Sequence, residues 1–203
     1  MSRGTIFLVD DEAAQRRAMS RLLGAHDLEV RTFASAEEYL AGFDPRAAGC
    51  LLLDLRMPGA SGLELQQELR RRGAEVPIVF LTGHADVPTS VYSMKLGAVD
   101  FLQKPVHEVR LLEALERALG IDAERRRESD GLREDRERFA TLTERERQVL
   151  EGILAGRSNK QVAFALGIAE RTVKLHRSRA MDKMGADSLP ELVRRIERLR
   201  ARG

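Results

Sequence analysis

At 203 residues, with 43% hydrophobic and 33% charged side chains, the chain has apolar material for one large or two small packed cores and too much for general disorder. The net charge of +2 conceals an asymmetry: residues 1–120 carry 14 Lys and Arg against 17 Asp and Glu, whereas residues 142–203 carry 14 against 8, which puts a basic excess where a polyanionic partner would be met. No apolar run approaches the roughly 20 residues of a spanning helix, and the start MSRGTIFLVDDE lacks the apolar core of a signal peptide, so the expected location is the cytoplasm, with no membrane partner.

From the amino terminus, short apolar runs alternate with amphipathic stretches. TIFLV precedes a helical pattern to about Gly24, then come LEVRTF, a short helix from Ser35, and CLLLD. A helix from about Ser61 to Arg72 leads to PIVFL, a helix from about Asp86 to Leu96, the run VDFL and a helix opening near His107. LLLD and IVFL are apolar without alternation, as in a parallel sheet covered on both faces. The expected fold is α/β, a doubly wound five-stranded parallel sheet over residues 1–121. Cys50, the single cysteine, reads as a small core residue.

The stretch IDAERRRESDGLREDRERFA is nearly all charge, and its Glu and Arg spacing favours exposed helix, so residues 122–141 are expected as a helical linker, with Gly131 leaving its continuity open. Residues 142–203 read as a smaller all-α domain of four short helices. Thr143 with Glu146 forms a capping box for the first, which Gly156 ends. Ser158 caps NKQVAFAL, Gly167 turns into a third helix from about Glu170 to Met184, and Ser188 with Glu191 opens a fourth. The tight turn at Gly167 is a helix-turn-helix signal.

In an open parallel sheet, ligands gather beyond the carboxyl ends of the strands. The residues there are Asp10 and Asp11 after the first run, Asp54 after the third, Thr82 after the fourth and Lys104 after the fifth. Three carboxylates side by side call for a cation, and an all-oxygen set suits a hard ion such as Mg2+ that leaves room for a phosphoryl group. One carboxylate can then accept that group, with the cation, Lys104 and the Thr82 hydroxyl neutralising its oxygens.

FLVDDE, LLLDLRMPG, LTGH and FLQKP together resemble the receiver domain of bacterial two-component response regulators, over residues 4 to about 120. The resemblance implies that Asp54 is phosphorylated by a sensor histidine kinase, that Asp11, Asp54 and the backbone carbonyl of Arg56 bind Mg2+ with Asp10 assisting through water, and that Lys104 grips the phosphate. It further implies a cis bond from Lys104 to Pro105, a Thr82 that moves toward the phosphoryl oxygens, and a switch aromatic at Phe101. Pro58 and Gly59 suit the turn after Asp54, and Gly62 would let the next helix pack closely. His84 reads as a loop residue.

On the third helix of the last domain, Arg171, Thr172, Lys174, Leu175, Arg177, Ser178 and Arg179 are mostly polar or basic, while Val173, Ala180 and Met184 supply an inward stripe. Such a face suits the major groove of double-stranded DNA, with Lys donating to guanine and Arg171, Thr172 and Arg177 holding phosphates. LTERERQVLEGILAGRSNKQVAFALGIAERTVKLHRSRAMDKMGADS resembles the LuxR or NarL type of helix-turn-helix. By that resemblance Lys174, Leu175 and Ser178 face the bases, and Asn159 and Lys160 lie at the DNA backbone. The family's usual Ser or Thr cap is replaced by Ala169. Both halves are most similar to the FixJ subgroup, through LTGHADVP, MKLGAVDFL and the SNK helix start.

The expected mechanism is a phosphorylation switch that biases a surface around the fourth helix and fifth strand, with Val91, Lys95 and Asp100 as its candidates. Dimerisation through it would set two recognition helices on paired half-sites. An aspartyl-phosphate hydrolase is the enzyme alternative, but the adjacent Asp10 and Asp11 lack the two-residue spacing of the haloacid dehalogenase type. A second alternative is a DNA-binding protein whose receiver serves only for docking.

Overall fold

The computed structural model describes residues 4–83 and 96–201, and the chain divides into two compact units, Met1–Arg126 and Arg127–Gly203. In the first unit, strands β1 (Thr5–Val9), β2 (Glu29–Phe33), β3 (Gly49–Asp54), β4 (Ile78–Thr82) and β5 (Asp100–Gln103) form a sheet ordered β2-β1-β3-β4-β5, with all neighbours parallel. The chain leaves β1 toward one edge to make β2 and crosses to the other side for β3. The helices flanking β1 and β3 therefore diverge, and a crevice opens beyond the carboxyl ends of these two strands. The register pairs Val9 with Leu53 and Asp54 with Leu81, which aligns those ends.

Both faces of the sheet are covered, which explains the unbroken apolar runs. Phe7, Val9, Leu51, Leu53, Ile78 and Phe80 point into one buried cluster with residues of helices α2 (Ala36–Ala41) and α3 (Gly62–Arg71). Their alternates, Ile6, Leu8, Cys50, Leu52, Val79 and Leu81, point into another. That second cluster includes Leu23 of helix α1 (Ala13–Gly24) and the stripe Leu111, Ala114, Leu115, Ala118 and Leu119 of helix α4 (Glu108–Ala140), spaced as one helical face. Cys50 is fully buried, and burial pushes its thiol up to about 12, so it is an inert core side chain. The expected helix from Asp86 lies outside the described residues except for Leu96.

Helix α4 runs 33 residues without a break, so Gly131 does not interrupt it. The charged stretch holds buried anchors that its composition hides. In the first unit Asp122 is buried and accepts from the backbone N–H of Gly49 at 2.8 Å, while Arg126 donates to Asp122 and to the carbonyls of Arg46 and Ala47. Gly49 leaves no alternative at that strand start, because a Cβ there would sit 1.9 Å from the Thr5 carbonyl oxygen. In the second unit Leu132 is buried, Phe139 packs against the core, and buried Asp135 pairs with Arg195 at 3.2 Å and Arg198 at 3.4 Å.

The rest of the second unit comprises α5 (Glu144–Leu154), α6 (Asn159–Leu166), α7 (Glu170–Met184) and α8 (Leu189–Ala201). Reciprocal caps start the first two: Thr143 with Glu146, and Ser158 with Gln161. Gly167 ends α6 and Gly185 ends α7 in the left-handed conformation, with φ of 65° and 60°. Helix α7 starts at Ala169 with no side-chain cap. Its inward stripe, Val173, Ala180 and Met184, is fully buried. Among the described residues, no helix is long and apolar enough to cross a membrane.

Candidate functional site

Three strands and the loops after them bring four charged side chains together. Asp10, directly after β1, and Asp54, the last residue of β3, are buried, whereas Asp11 is exposed at the mouth. One carboxylate oxygen from each of Asp10, Asp11 and Asp54 lies within 4.8 Å of the others. Lys104, just beyond β5, reaches back between two of them: its Nζ donates to Asp54 Oδ2 at 2.6 Å and to Asp10 Oδ2 at 2.9 Å. Burial works against the Lys104 charge, but the hydrogen bonds to Asp54 and Asp10 and the field of both carboxylates outweigh it and hold its pKa above the ordinary lysine value.

The free oxygens are aimed by backbone. Asp54 Oδ1 accepts from the Arg56 N–H at 3.1 Å, and Asp10 Oδ1 accepts from the Glu12 N–H at 2.8 Å. Thr82 is fully buried at the end of β4, and its carbonyl accepts the Lys104 N–H at 2.7 Å. The Lys104–Pro105 peptide is cis. Close packing behind Asp54 depends on Gly62, where a Cβ would stand 2.4 Å from the Asp54 carbonyl oxygen. The Glu37 carboxylate holds the loop after Asp54 through the Ala60 N–H at 3.2 Å. Three hard oxygen donors around one crevice fit a divalent cation, which would offset the excess of carboxylates over the single ammonium.

Of the remaining predicted residues, Phe101 is half-buried with its ring 6.0 Å from that of Phe80. Asp100 is tied within its own unit, since Oδ1 accepts the Phe101 N–H at 2.7 Å and Oδ2 pairs with Arg117. Val91, Lys95 and His84 lie outside the described residues. In the second unit Arg171, Lys174, Leu175, Ser178 and Arg179 are exposed on α7, while Thr172 and Arg177 are half-buried. Lys174 stands 3.6 Å from Glu170 one turn earlier, an exposed pair that leaves the ammonium available to a polyanion. Lys160 is exposed and Asn159 half-buried at the start of α6. Sequence reasoning missed Arg16, whose Nη1 donates to the carbonyls of Asp10 and Asp11; one arginine on an exposed helix carried no signal of it.

Residues 6–116 match the family described as the response regulator receiver domain, and residues 140–196 match the luxR family of bacterial regulatory proteins. The chain is 46% identical over 189 residues to the transcriptional regulatory protein FixJ of Azorhizobium caulinodans, covering 93% of this chain and 90% of that one. The chain belongs to the response regulators. It is also 43% identical over 195 residues to the response regulator protein TodT of Pseudomonas putida, covering 96% of this chain and 86% of the relative. The solved structure of the response regulator StyR superposes with a TM-score of 0.86 at 45% identity, covering 95% of this chain and 98% of that one. Full-length FixJ from B. japonicum gives 0.60 at 39% identity, covering 99% of each chain. This response regulator is thus a FixJ-like transcription regulator of a two-component system, with a receiver and a LuxR-type DNA-binding domain. A histidine kinase and DNA are the partners that this membership implies.

Proposed function

We propose that this response regulator takes a phosphoryl group on Asp54, with Mg2+ as cofactor, and that phosphorylation drives it to dimerise on promoter DNA in the cytoplasm. The observation that carries the reading is the pocket itself: three carboxylates share one crevice, and Lys104 spans two of them. In the transfer, an oxygen of Asp54 forms the new bond to phosphorus as the bond to the donor's histidine nitrogen breaks. The Arg56 N–H and Lys104 hold the Asp54 carboxylate in place for this. Asp10, Asp11, Asp54 and the Arg56 carbonyl would hold Mg2+, which would supply neutralisation of the phosphoryl charge. Lys104 then exchanges part of its carboxylate contact for a phosphoryl oxygen, and the Thr82 hydroxyl moves toward the same group.

The added charge of about −1.5 to −2 biases the surface that includes Val91, Lys95 and Asp100, with Phe101 as the switch aromatic. Because Asp100 is already paired with Arg117, a partner must offer something better than that intramolecular bond. We further propose residues 1–121 as the receiver, 122–141 as the helical connector and 142–203 as the DNA-binding domain. Lys174, Leu175 and Ser178 read base edges, with Asn159, Lys160, Arg171, Thr172, Arg177 and Arg179 near phosphates; the exposure of α7's outer face supports this. The test is Asp54→Asn with radiolabelled acetyl phosphate and Mg2+, followed by light scattering. The wild type should take up label and shift to dimer, and the variant should do neither. A variant that dimerises fully with the donor would sink the switch.

A further inference from the structure

Arg16, one turn into α1, touches the pocket loop, and the phosphorylation reading leaves it without a role. A terminal guanidinium NH2 has two hydrogens, and here both are used: Nη1 donates to the Asp10 carbonyl at 2.6 Å and to the Asp11 carbonyl at 2.9 Å. The setting explains why these two carbonyls need a partner. The Asp10 N–H makes the last ladder bond, to the Phe33 carbonyl at 3.2 Å, and the chain then leaves the sheet for α1.

The two pocket carboxylates differ in how they are held. Asp10 is buried, with its oxygens fixed by the Glu12 N–H and Lys104, so its side chain is set by packing and bonding. Asp11 is exposed, so its direction depends on the two peptide planes that flank it. The Asp10 carbonyl belongs to the plane before Asp11, and the Asp11 carbonyl to the plane after it. Arg16 pins both. The geometry points to Arg16 as a positioning residue that orients Asp11 for the cation through the two carbonyls.

This rests on the metal-assisted reading above, and it has a rival of opposite sign. If Arg16 acted only through its positive charge, it would repel the cation, and removing it would tighten Mg2+ binding. A positioning role requires the reverse, because an orienting partner behind a metal ligand typically contributes about 10- to 100-fold in affinity. Arg16→Gln removes the charge and the terminal NH2 that the two carbonyls share; Arg16→Lys keeps the charge on a shorter side chain whose ammonium lacks the in-plane pair of N–H bonds.

The experiment is Mg2+ titration calorimetry on the full-length wild type and both variants, with melts by circular dichroism. The expected result is a dissociation constant raised about 10-fold or more in Arg16→Gln and raised less, but still raised, in Arg16→Lys. Acetyl phosphate labelling should need correspondingly more Mg2+ for half-saturation yet reach a rate within about threefold of wild type at saturation, a split that general loosening of the fold would not produce. Unchanged or tighter binding in Arg16→Gln would overturn the assignment. A wild type that takes up no Mg2+ would take the metal-assisted reading down with it.

Discussion

Replacing Lys104 with Met isolates the electrostatics of the pocket, because the side chain keeps its bulk and loses its charge. The Lys104 side chain is 18% exposed and makes two short ion pairs, with Asp10 and Asp54 side chains that are only 2% and 7% exposed. Removing one member of a buried ionic cluster costs about 3–5 kcal/mol, since the partners stay buried without compensation. The crevice opens to water at Asp11, which places the cost near the lower end, about 3 kcal/mol. For a unit of residues 1–126, an unfolding entropy of about 2.1 cal/mol/K per residue makes each kcal/mol worth about 4 °C, so the melt of the first unit should fall by about 12 °C.

A divalent cation should return much of this. Binding to the folded state alone contributes RT ln(1 + [Mg2+]/Kd), about 1.4 kcal/mol at ten times Kd, and more in the variant, where no ammonium competes for Asp54 and Asp10. The sign of the pH dependence is also set. The Lys104 pKa is raised by its partners, so its stabilisation is present below the ordinary lysine value of 10.5 and is lost as the pH rises through the raised one. Between pH 7 and 9 the gap from wild type should therefore stay constant. The assay is thermal and urea unfolding by circular dichroism in EDTA and in Mg2+. A variant as stable as wild type in EDTA would refute the argument, as would a gap that Mg2+ does not narrow.

Ala169→Ser should stabilise the second unit by about 1 kcal/mol, because the backbone at that position already has the extended φ of −72° and ψ of 146° of an N-cap, and only the acceptor is missing; an unchanged urea midpoint would count against it. Glu146 is buried, which favours its neutral form, yet Lys183 and the Thr143 cap outweigh burial and hold its pKa below 4.5. Its contribution is thus present above 4.5 and lost as pH falls below, so in Glu146→Gln the acid-induced loss of second-unit stability should be shallower than in wild type, read from urea midpoints between pH 7 and 3. Lys174→Ala should cost about 1–3 kcal/mol on the preferred operator and relax its sequence preference, whereas Arg171→Ala should weaken all sequences alike and lower the salt slope by about one. Gel-shift titrations at several salt concentrations distinguish the two, and equal effects on specificity would contradict the assignment.

The sequence and the structure agree most closely where local rules decide. Thr143 with Glu146 and Ser158 cap their helices as the sequence foretells, because a cap acts within one turn, and the structure adds Gln161 as the reciprocal partner of Ser158. Asp10, Asp11, Asp54 and Lys104 were legible as neighbours because each follows an apolar run, and parallel strands deliver all their carboxyl ends to one edge. The connector was legible only in part. Its charge pattern announced a helix, but Asp122 and Asp135 look like their exposed neighbours until Gly49 and Arg195 are placed beside them.

What the chain determined by itself is therefore the order of the described elements, the two-domain plan and the chemical character of both sites, because these follow from periodicity, caps and residue type along a continuous segment. Only the tertiary structure decided which oxygens Lys104 bridges, that Arg16 grips two carbonyls of the pocket loop, and that Asp100 is occupied by Arg117. Those pairings join residues distant in sequence or use backbone atoms that every residue possesses. Their partners are chosen by the packing of the sheet against its helices, and no local pattern records that choice.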